Sequence, residues 1–259
     1  MVTAGIDVGA KNVKILFLKG GKVIFKKQGL MSLDRKKSVT DVFEAFFTDV
    51  GMNKKDIDSI VATGAGAGIV DFANKKSTIV ACDARGIISL NPSVRTVIDV
   101  GANEARAIRC DAEGRVSDFA VNEKCAAGSG AFVEAMARAM EVSLDEFAEL
   151  SLSSEKSIPI NAQCAIFAES EVVSLIHEET DRKDICRAVH DAMAQRIASM
   201  ARRVRIEPEI AFIGGVALNK GMVHSLENEL ASELQGREFY IPEDPAYIGA
   251  LGAAIIAAE

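Results

Sequence analysis

The chain lacks several features that would assign it to a specialised class of protein. Its 259 residues contain no Trp, and its five Cys are odd in number without paired spacing, which argues against a disulfide framework. No stretch approaches the roughly 18 consecutive apolar residues of a membrane span. Asp7 interrupts the early apolar run that a signal peptide would need. We therefore expect a cytoplasmic protein with no membrane partner.

The chain also lacks any block of like charge. Its net charge is −7, and its 37 acidic and 30 basic residues are interspersed. A dispersed, acidic surface argues against nucleic acid or an anionic membrane as the main partner. The length is sufficient for two packed domains of roughly 100–150 residues each.

One short stretch occurs twice. Residues 6–10 and residues 98–102 both read I-D-V-G-A, and a basic residue follows four positions later in each copy, as Lys14 and Arg106. Apolar sequence precedes each copy and strand-like sequence follows it, which predicts a strand, a tight Gly turn and a second strand. A single copy could be an ordinary hairpin turn. The second copy, with matched flanks, favours an internal repeat.

The repeated residues suit a nucleotide. Gly9 and Gly101 let the backbone approach an anion closely, and the amides of each turn can bind phosphate oxygens. The Asp of each turn, Asp7 or Asp99, can hold a hydrated Mg2+, and this ion can bind phosphate. Two such turns could clamp the phosphate tail of one nucleotide from two sides.

Strands and helices alternate in both halves of the chain, which predicts α/β domains. The clearest break is Asn91-Pro92, and the second copy of the repeat begins just beyond it. The segment after the predicted strand at 57–62, Thr63–Gly68, is a Gly-rich loop that could close a domain or merely turn the chain. Near the C-terminus we expect a helix over Leu218–Leu234 and a strand over Glu238–Ile241.

A third stretch, residues 210–219, reads I-A-F-I-G-G-V-A-L-N. This pattern predicts a buried strand, the pair Gly214-Gly215 and a helix. The two glycines would let a flat ring or a ribose lie against the backbone at the helix N-terminus. A strand, a Gly pair and a helix in this order are also a common connection in α/β proteins. Together with the two turns, however, it resembles the pattern of the superfamily that contains actin, hexokinase-type sugar kinases and Hsp70.

Two cysteines each stand just before a predicted helix. A helix N-terminus favours the thiolate form of Cys125 and Cys164, and so favours metal ligation. A 4Fe–4S cluster usually takes four thiolates, and a two-fold dimer would bring two from each subunit to one shared cluster. Burial as small core residues is the alternative for both. We interpret Cys82, Cys110 and Cys186 as buried thiols, and the three His as surface or capping residues.

The whole chain resembles the ATP-dependent activators, or electron-transfer components, of 2-hydroxyacyl-CoA dehydratases. It equally resembles the related small ATPase subunits of ATP-dependent benzoyl-CoA reductase. The motifs that carry this resemblance are K-C-A-A-G-S-G-A-F at 124–132, C-A-I-F-A-E-S-E-V at 164–172 and G-G-V-A-L-N at 214–219. A-R-G-I-I-S-L-N-P at 84–92 and R-A-I-R at 106–109 are closer to the benzoyl-CoA reductase side.

The resemblance implies two ribonuclease-H-like domains of the actin/hexokinase type, with a nucleotide cleft between them. The first would span residues 1–92 and be joined by the C-terminal helix at 246–259, and the second would span residues 93–245. ATP or ADP, Mg2+ and one 4Fe–4S cluster per dimer would be bound. The implied nucleotide contacts are Gly9, Ala10, Lys11, Asn12, Lys14, Gly101, Ala102, Arg106, Gly128, Gly130, Gly214, Gly215, Val216 and Asn219.

The resemblance also implies an activity and partners. Cys125 and Cys164 would bind the cluster at the interface of a homodimer, or of a heterodimer with a paralogue. ATP hydrolysis would drive a low-potential electron to a CoA-ester dehydratase or reductase, and a ferredoxin or flavodoxin would be the donor. A small-molecule kinase of the same superfamily, without a cluster, is the main alternative. A filament-forming scaffold of the actin type is the second.

The two turns depart from the family pattern. Activators often carry a D-I-G-G-Q-D type of second turn, where this chain has Asn103 and Glu104 in place of the amide and the carboxylate. Either residue could then position the attacking water, and that choice stays open. In the first turn, Lys11 and Asn12 stand where hydroxyl residues are common. With Asp7 and Asp99, the two second-turn residues complete the expected catalytic set.

Overall fold

The computed structural model describes residues 1–122, 128–156, 158–160 and 165–259. This part of the chain divides into two compact units. Unit 1 comprises Met1–Val94, Cys110–Ser117 and Ala246–Glu259, and unit 2 comprises Arg95–Arg109 and Asp118–Pro245.

Strands and helices alternate in both units, so the predicted α/β class is confirmed. The strands of the described residues are β1 (Val2–Val8), β2 (Asn12–Lys19), β3 (Lys22–Leu30), β4 (Ser59–Thr63), β5 (Lys75–Lys76), β6 (Thr96–Val100), β7 (Ala105–Cys110), β8 (Val116–Asn122) and β9 (Ile210–Ile213). The helices are α1 (Arg35–Val50), α2 (Ile79–Leu90), α3 (Gly130–Ala139), α4 (Leu144–Leu152), α5 (Ala165–His177), α6 (Arg182–Ala201), α7 (Lys220–Glu229), α8 (Ala231–Leu234) and α9 (Ile248–Ile256). Among these helices of the described residues, none is both long and apolar enough to cross a membrane.

Unit 1 is built on a five-stranded sheet with the order β3-β2-β1-β4-β5. β1 runs antiparallel to β2 and parallel to β4. Every residue of β1 is buried, because this strand is central in the sheet, α9 packs against it on one face and α1 covers β2 and β3 on the other. The central strand therefore has a fixed position, and the turn at its C-terminal end is held with it.

The two faces of this sheet are covered in different ways. On one face, Phe17 of β2 stacks on Phe46 of α1, with ring centroids 3.7 Å apart. On the other, α9 lies so close to β1 that a Cβ atom on Gly5 would overlap the carbonyl oxygen of Ala250. Aromatic side chains fill the first interface, whereas glycine permits direct backbone contact at the second.

Unit 2 is built on a four-stranded sheet with the order β8-β7-β6-β9. β6 runs antiparallel to β7 and parallel to β9, which is the arrangement of β1 with β2 and β4. Phe132, Phe147 and Phe212 are fully buried in the core. The apolar positions of α6 recur every three or four residues and are buried, as Ile185, Val189, Met193 and Ile197.

Two predicted elements of unit 2 differ from the structure. The strand expected over Glu238–Ile241 is reduced to one isolated bridge between Ala211 and Tyr240. The helix expected over Leu218–Leu234 is divided into a 3₁₀ turn at Gly215–Leu218 followed by α7 and α8. Asn219 starts α7, because it has extended backbone angles and accepts a hydrogen bond from the Met222 amide, 2.9 Å. Leu230, with φ −103° and ψ 21°, separates α7 from α8.

Candidate functional site

The first I-D-V-G-A copy forms the turn between β1 and β2. The Gly9 amide donates to the Asn12 carbonyl at 2.9 Å, which closes the turn. Asp7 and Lys14 are cross-strand partners, and their carboxylate and ammonium groups are 3.4 Å apart. Both side chains are largely buried. The basic residue four positions after the repeat therefore pairs with the Asp of its own turn.

The second copy forms the same turn between β6 and β7. The Gly101 amide donates to the Glu104 carbonyl at 2.9 Å, and Asp99 and Arg106 are cross-strand partners. The Arg106 guanidinium donates to Asp99 Oδ2 at 2.5 Å, and its other terminal nitrogen pairs with the Glu104 carboxylate. The sequence repeat is thus a structural repeat, with one added carboxylate in the second copy.

A glycine after the neighbouring parallel strand faces the Asp in both units. Gly64 follows β4 with φ +85°, and Gly214 follows β9 with φ +87°. A Cβ atom on Gly64 would overlap Asp7 Oδ1, and one on Gly214 would lie 2.5 Å from Asp99 Oδ1. The motifs predict a role for Gly214, whereas Gly64 belongs to the loop at Thr63–Gly68, for which the sequence predicts either domain closure or a simple turn. The sequence signal for Gly64 is its position just after a predicted strand, which it shares with Gly214.

Oxygen atoms at the first turn suit Mg2+, which prefers oxygen ligands and keeps most of its waters. Asp7 is 7% exposed and presents two carboxylate oxygens. The Asn12 side-chain oxygen is buried and has no hydrogen-bond partner among the described residues. An acceptor of this kind can take a hydrogen bond from a metal-bound water, so the donor set fits a hydrated magnesium ion.

The N-terminus of α3 lies on the second turn. The amides of Gly130 and Ala131 donate to the carbonyls of Gly101 and Ala102, at 2.9 and 2.8 Å. A Cβ atom on Gly130 would lie 3.2 Å from the Gly101 oxygen and 3.1 Å from Val216. Gly130 and Val216 are therefore brought together with this turn, because glycine permits the close approach.

The other predicted site residues have different surroundings. Gly128 packs against Asn122, since a Cβ atom there would overlap the Asn122 amide. Gly215 is exposed, and nothing lies within 4 Å of the position a Cβ would take, which leaves space for a flat ring. Asn219 uses its side-chain oxygen to cap α7. Lys11 and Asn103 are exposed in the middle of their respective turns.

A second carboxylate near the first turn was not predicted. Asp83 of α2 is 2% exposed. A Cβ atom on Gly249 would lie 3.2 Å from Asp83 Oδ1 and 3.6 Å from Asp7 Cγ, so the two carboxylates flank the start of α9. Burial raises the pKa of the neighbouring Cys82 thiol to about 11, and the charges of Asp83 and Asp7 act in the same direction.

The described cysteines are buried thiols, as predicted for Cys82, Cys110 and Cys186. Burial also raises the pKa of Cys186, to about 12, so this thiol stays protonated at neutral pH. Cys125 and Cys164, the predicted cluster ligands, lie outside the described residues. Within the described residues no three His, Cys, Asp or Glu side chains are grouped as a metal site.

One histidine differs from the sequence expectation. The sequence predicts a surface or capping role for His190, but this residue is fully buried in α6. Burial lowers its pKa to about 4, and its Nδ1 atom lies 2.9 Å from the Cys186 carbonyl oxygen. The ring is therefore neutral, and it packs against Phe147 with centroids 5.1 Å apart.

Known proteins match this chain along its whole length. The family model described as the BadF/BadG/BcrA/BcrD ATPase family matches residues 4–257. The activator of lactoyl-CoA dehydratase from Anaerotignum propionicum is 38% identical over 263 residues, covering 100% of this chain and 98% of the relative. A benzoyl-CoA reductase subunit from Thauera aromatica is 30% identical over 260 residues, covering 98% of this chain and 92% of the relative. The resemblance inferred from the motifs is thereby confirmed.

Solved structures agree with the fold. The activator of the 2-hydroxyisocaproyl-CoA dehydratase from Clostridium difficile, with bound ADPNP, matches with TM-score 0.91 and 33% identity over 99% of this chain and 94% of that chain. A ROK family glucokinase from Streptomyces griseus matches with TM-score 0.59 over 100% of this chain and 99% of that chain. Its identity is only 12%, so it bears on the fold alone. The predicted actin/hexokinase-type α/β class is confirmed.

Proposed function

The chain belongs to the BadF/BadG/BcrA/BcrD ATPase family, and we propose that it is an ATP-hydrolysing iron–sulfur protein that drives low-potential electron transfer to a CoA-ester dehydratase or reductase. The observation that carries this proposal is the duplicated turn, in which an Asp, a cation and a glycine recur with the same geometry. The relatives' names, a lactoyl-CoA dehydratase activator and a benzoyl-CoA reductase subunit, support the choice of acceptor.

ATP is the proposed ligand of both turns. The amides around Gly9 and Gly101 would bind phosphate oxygens, and Asp7 and Asp99 would hold Mg2+ through its waters. Enzymes of this kind accelerate phosphoryl transfer mainly by positioning and by charge stabilisation. The buried carboxylates, each fixed between a cation and a glycine, are suited to positioning.

Glu104 is the stronger candidate for orienting the attacking water. Its carboxylate is held by Arg106, which also holds Asp99, so both acidic groups keep a fixed relation. Asn103 is exposed in the middle of the turn, and no ion pair like that of Glu104 holds it within the described residues. An acceptor held in place by an ion pair is suited to orient a water molecule.

We propose that Cys125 and Cys164 bind one 4Fe–4S cluster shared by two subunits, either identical or paralogous. The cluster would supply one-electron transfer at low potential, and a ferredoxin or flavodoxin would supply the electron. ATP can drive this step only if it binds two conformations of the protein unequally.

The proposal is tested first at the turns. Asp7→Asn and Asp99→Asn should each lower ATP hydrolysis by about 100-fold or more, because they remove a charge that positions metal and phosphate. Asp118→Asn is a control at an exposed carboxylate of β8 and should leave hydrolysis unchanged. Near-normal turnover in both turn variants would refute the site. A small-molecule kinase would retain the dependence on these residues but contain no iron.

A further inference from the structure

Arg35 lies against the first turn, and no motif pointed to it. Its Nη2 atom donates to the Gly9 carbonyl at 3.4 Å. A Cβ atom on Gly66 would overlap Val8 and lie 2.9 Å from the same Nη2 atom. The guanidinium therefore rests against two glycine positions, one in the turn and one in the loop after β4.

The backbone leading to Arg35 is anchored at successive points. The Met31 amide donates to the Lys11 carbonyl at 2.9 Å, which ties this segment to the turn itself. The Ser32 amide then donates to Ser38 Oγ at 2.9 Å, and Asp34 caps α1 by accepting from the Lys37 amide at 3.0 Å. These bonds fix the first turn of α1, so Arg35 extends from a restrained backbone.

The charge of Arg35 is not matched by a carboxylate within the described residues. Its polar contact there is the Gly9 carbonyl. The next two residues of α1 differ, because Lys36 pairs with Asp71 at 3.3 Å and Lys37 pairs with Asp41 at 3.6 Å. The cations within the two turns, Lys14 and Arg106, are largely buried and paired with acidic residues.

We propose that Arg35 binds the β- and γ-phosphates of the nucleotide at the first turn, and this proposal depends on the proposed ATP-binding function. A guanidinium has five N–H donors, and one hydrogen bond to Gly9 leaves the others able to reach phosphate oxygens. Its planar fork suits bidentate contact with phosphate. Lys14 and Arg106 would then mainly orient Asp7 and Asp99, and Arg35 would add positive charge to the phosphate tail.

The test measures the dissociation constants of ATP, ADP and AMP, with Mg2+, on the full chain prepared without oxygen. The variants are Arg35→Gln, Arg35→Lys and the matched control Lys37→Gln, which removes an exposed cation from the same helical turn. Because a charged hydrogen bond is lost, Arg35→Gln should raise the constants for ATP and ADP by about tenfold. AMP binding should change by less than about twofold, and Arg35→Lys should lie between Arg35→Gln and wild type.

Salt gives a second readout that a purely structural role would not change. The difference between wild type and Arg35→Gln should shrink as salt rises, because ions screen an exposed charge. If Arg35→Gln binds ATP as Lys37→Gln does, or weakens ATP and AMP equally, the inference is wrong while the proposed function stands. If the wild-type protein binds no ATP, both are wrong.

Discussion

The most informative perturbation of the site is a methyl group placed at Gly64. In Gly64→Ala the added Cβ would overlap Asp7 Oδ1 and lie 2.7 Å from the Val8 carbonyl oxygen. The backbone of β1 is buried throughout, so the Asp7 side chain is the group best able to move. We expect the carboxylate to leave its position beside Lys14.

Two separable costs determine how much Gly64→Ala lowers the free energy of unfolding. Ala in the left-handed region costs about 1–2 kcal/mol, and overpacking adds about 1–3 kcal/mol. Gly51→Ala provides the matched control, because Gly51 has φ +71° and nothing lies within 4 Å of its would-be Cβ. Gly64→Ala should therefore be less stable than Gly51→Ala by about the overpacking cost alone.

The assays are urea unfolding and steady-state ATP hydrolysis on both variants. A displacement of about 1 Å at a catalytic group can cost about 100-fold in rate, so Gly64→Ala should lose about that factor and Gly51→Ala should not. Gly214→Ala and its control Gly236→Ala, at φ +80° with nothing within 4 Å, repeat the comparison in unit 2. Equal hydrolysis rates in Gly64→Ala and Gly51→Ala would show that this glycine does not set the Asp7 position.

Two further predictions concern unit 2. Glu104→Gln should slow ATP hydrolysis more than Asn103→Ala, measured under saturating ATP, because Arg106 fixes Glu104; the reverse order would assign the water to Asn103. The folded-state pKa of His190, about 4, lies below the ordinary 6.5, so below pH 6.5 the unfolded chain binds a proton that the folded protein does not. The free energy of unfolding is therefore highest above pH 6.5 and decreases as the pH falls. Urea unfolding should show that the free energy of unfolding decreases by about 2 kcal/mol between pH 6.5 and pH 5. His190→Leu should remove this pH dependence. An unchanged pH dependence in His190→Leu would contradict a neutral, buried ring.

Sequence predicted the repeated turns because identical short-range patterns fold alike. The I-D-V-G-A copies, with a basic residue at a fixed distance, specify a hairpin whose pairing is local. Gly64 was missed because its contact with Asp7 depends on parallel pairing of β1 with β4, which are distant in the chain. The segment after β4 also offers Gly64, Gly66 and Gly68, and spacing alone does not distinguish them.

For the helix at Leu218–Leu234, for His190 and for Arg35, the sequence predictions also missed contacts that the fold makes. A regular apolar pattern predicted one helix over Leu218–Leu234, but the Asn219 side chain accepts a hydrogen bond from the Met222 amide and so starts α7 there. Burial of His190 depends on α4 packing against α6, which no local pattern encodes. Arg35 resembles its lysine neighbours in sequence, and only the fold brings it to Gly9.

The central claim, an ATPase with a cluster shared by two subunits, is tested most directly by iron content and electron paramagnetic resonance of dithionite-reduced protein purified without oxygen. Four thiolates per cluster and two per chain predict about two iron atoms per chain. Cys125→Ala and Cys164→Ala should each lose the iron and the signal, whereas Cys82→Ala, Cys110→Ala and Cys186→Ala, at buried thiols, should keep both. Four iron atoms per chain, or full iron in Cys125→Ala and Cys164→Ala, would contradict the account.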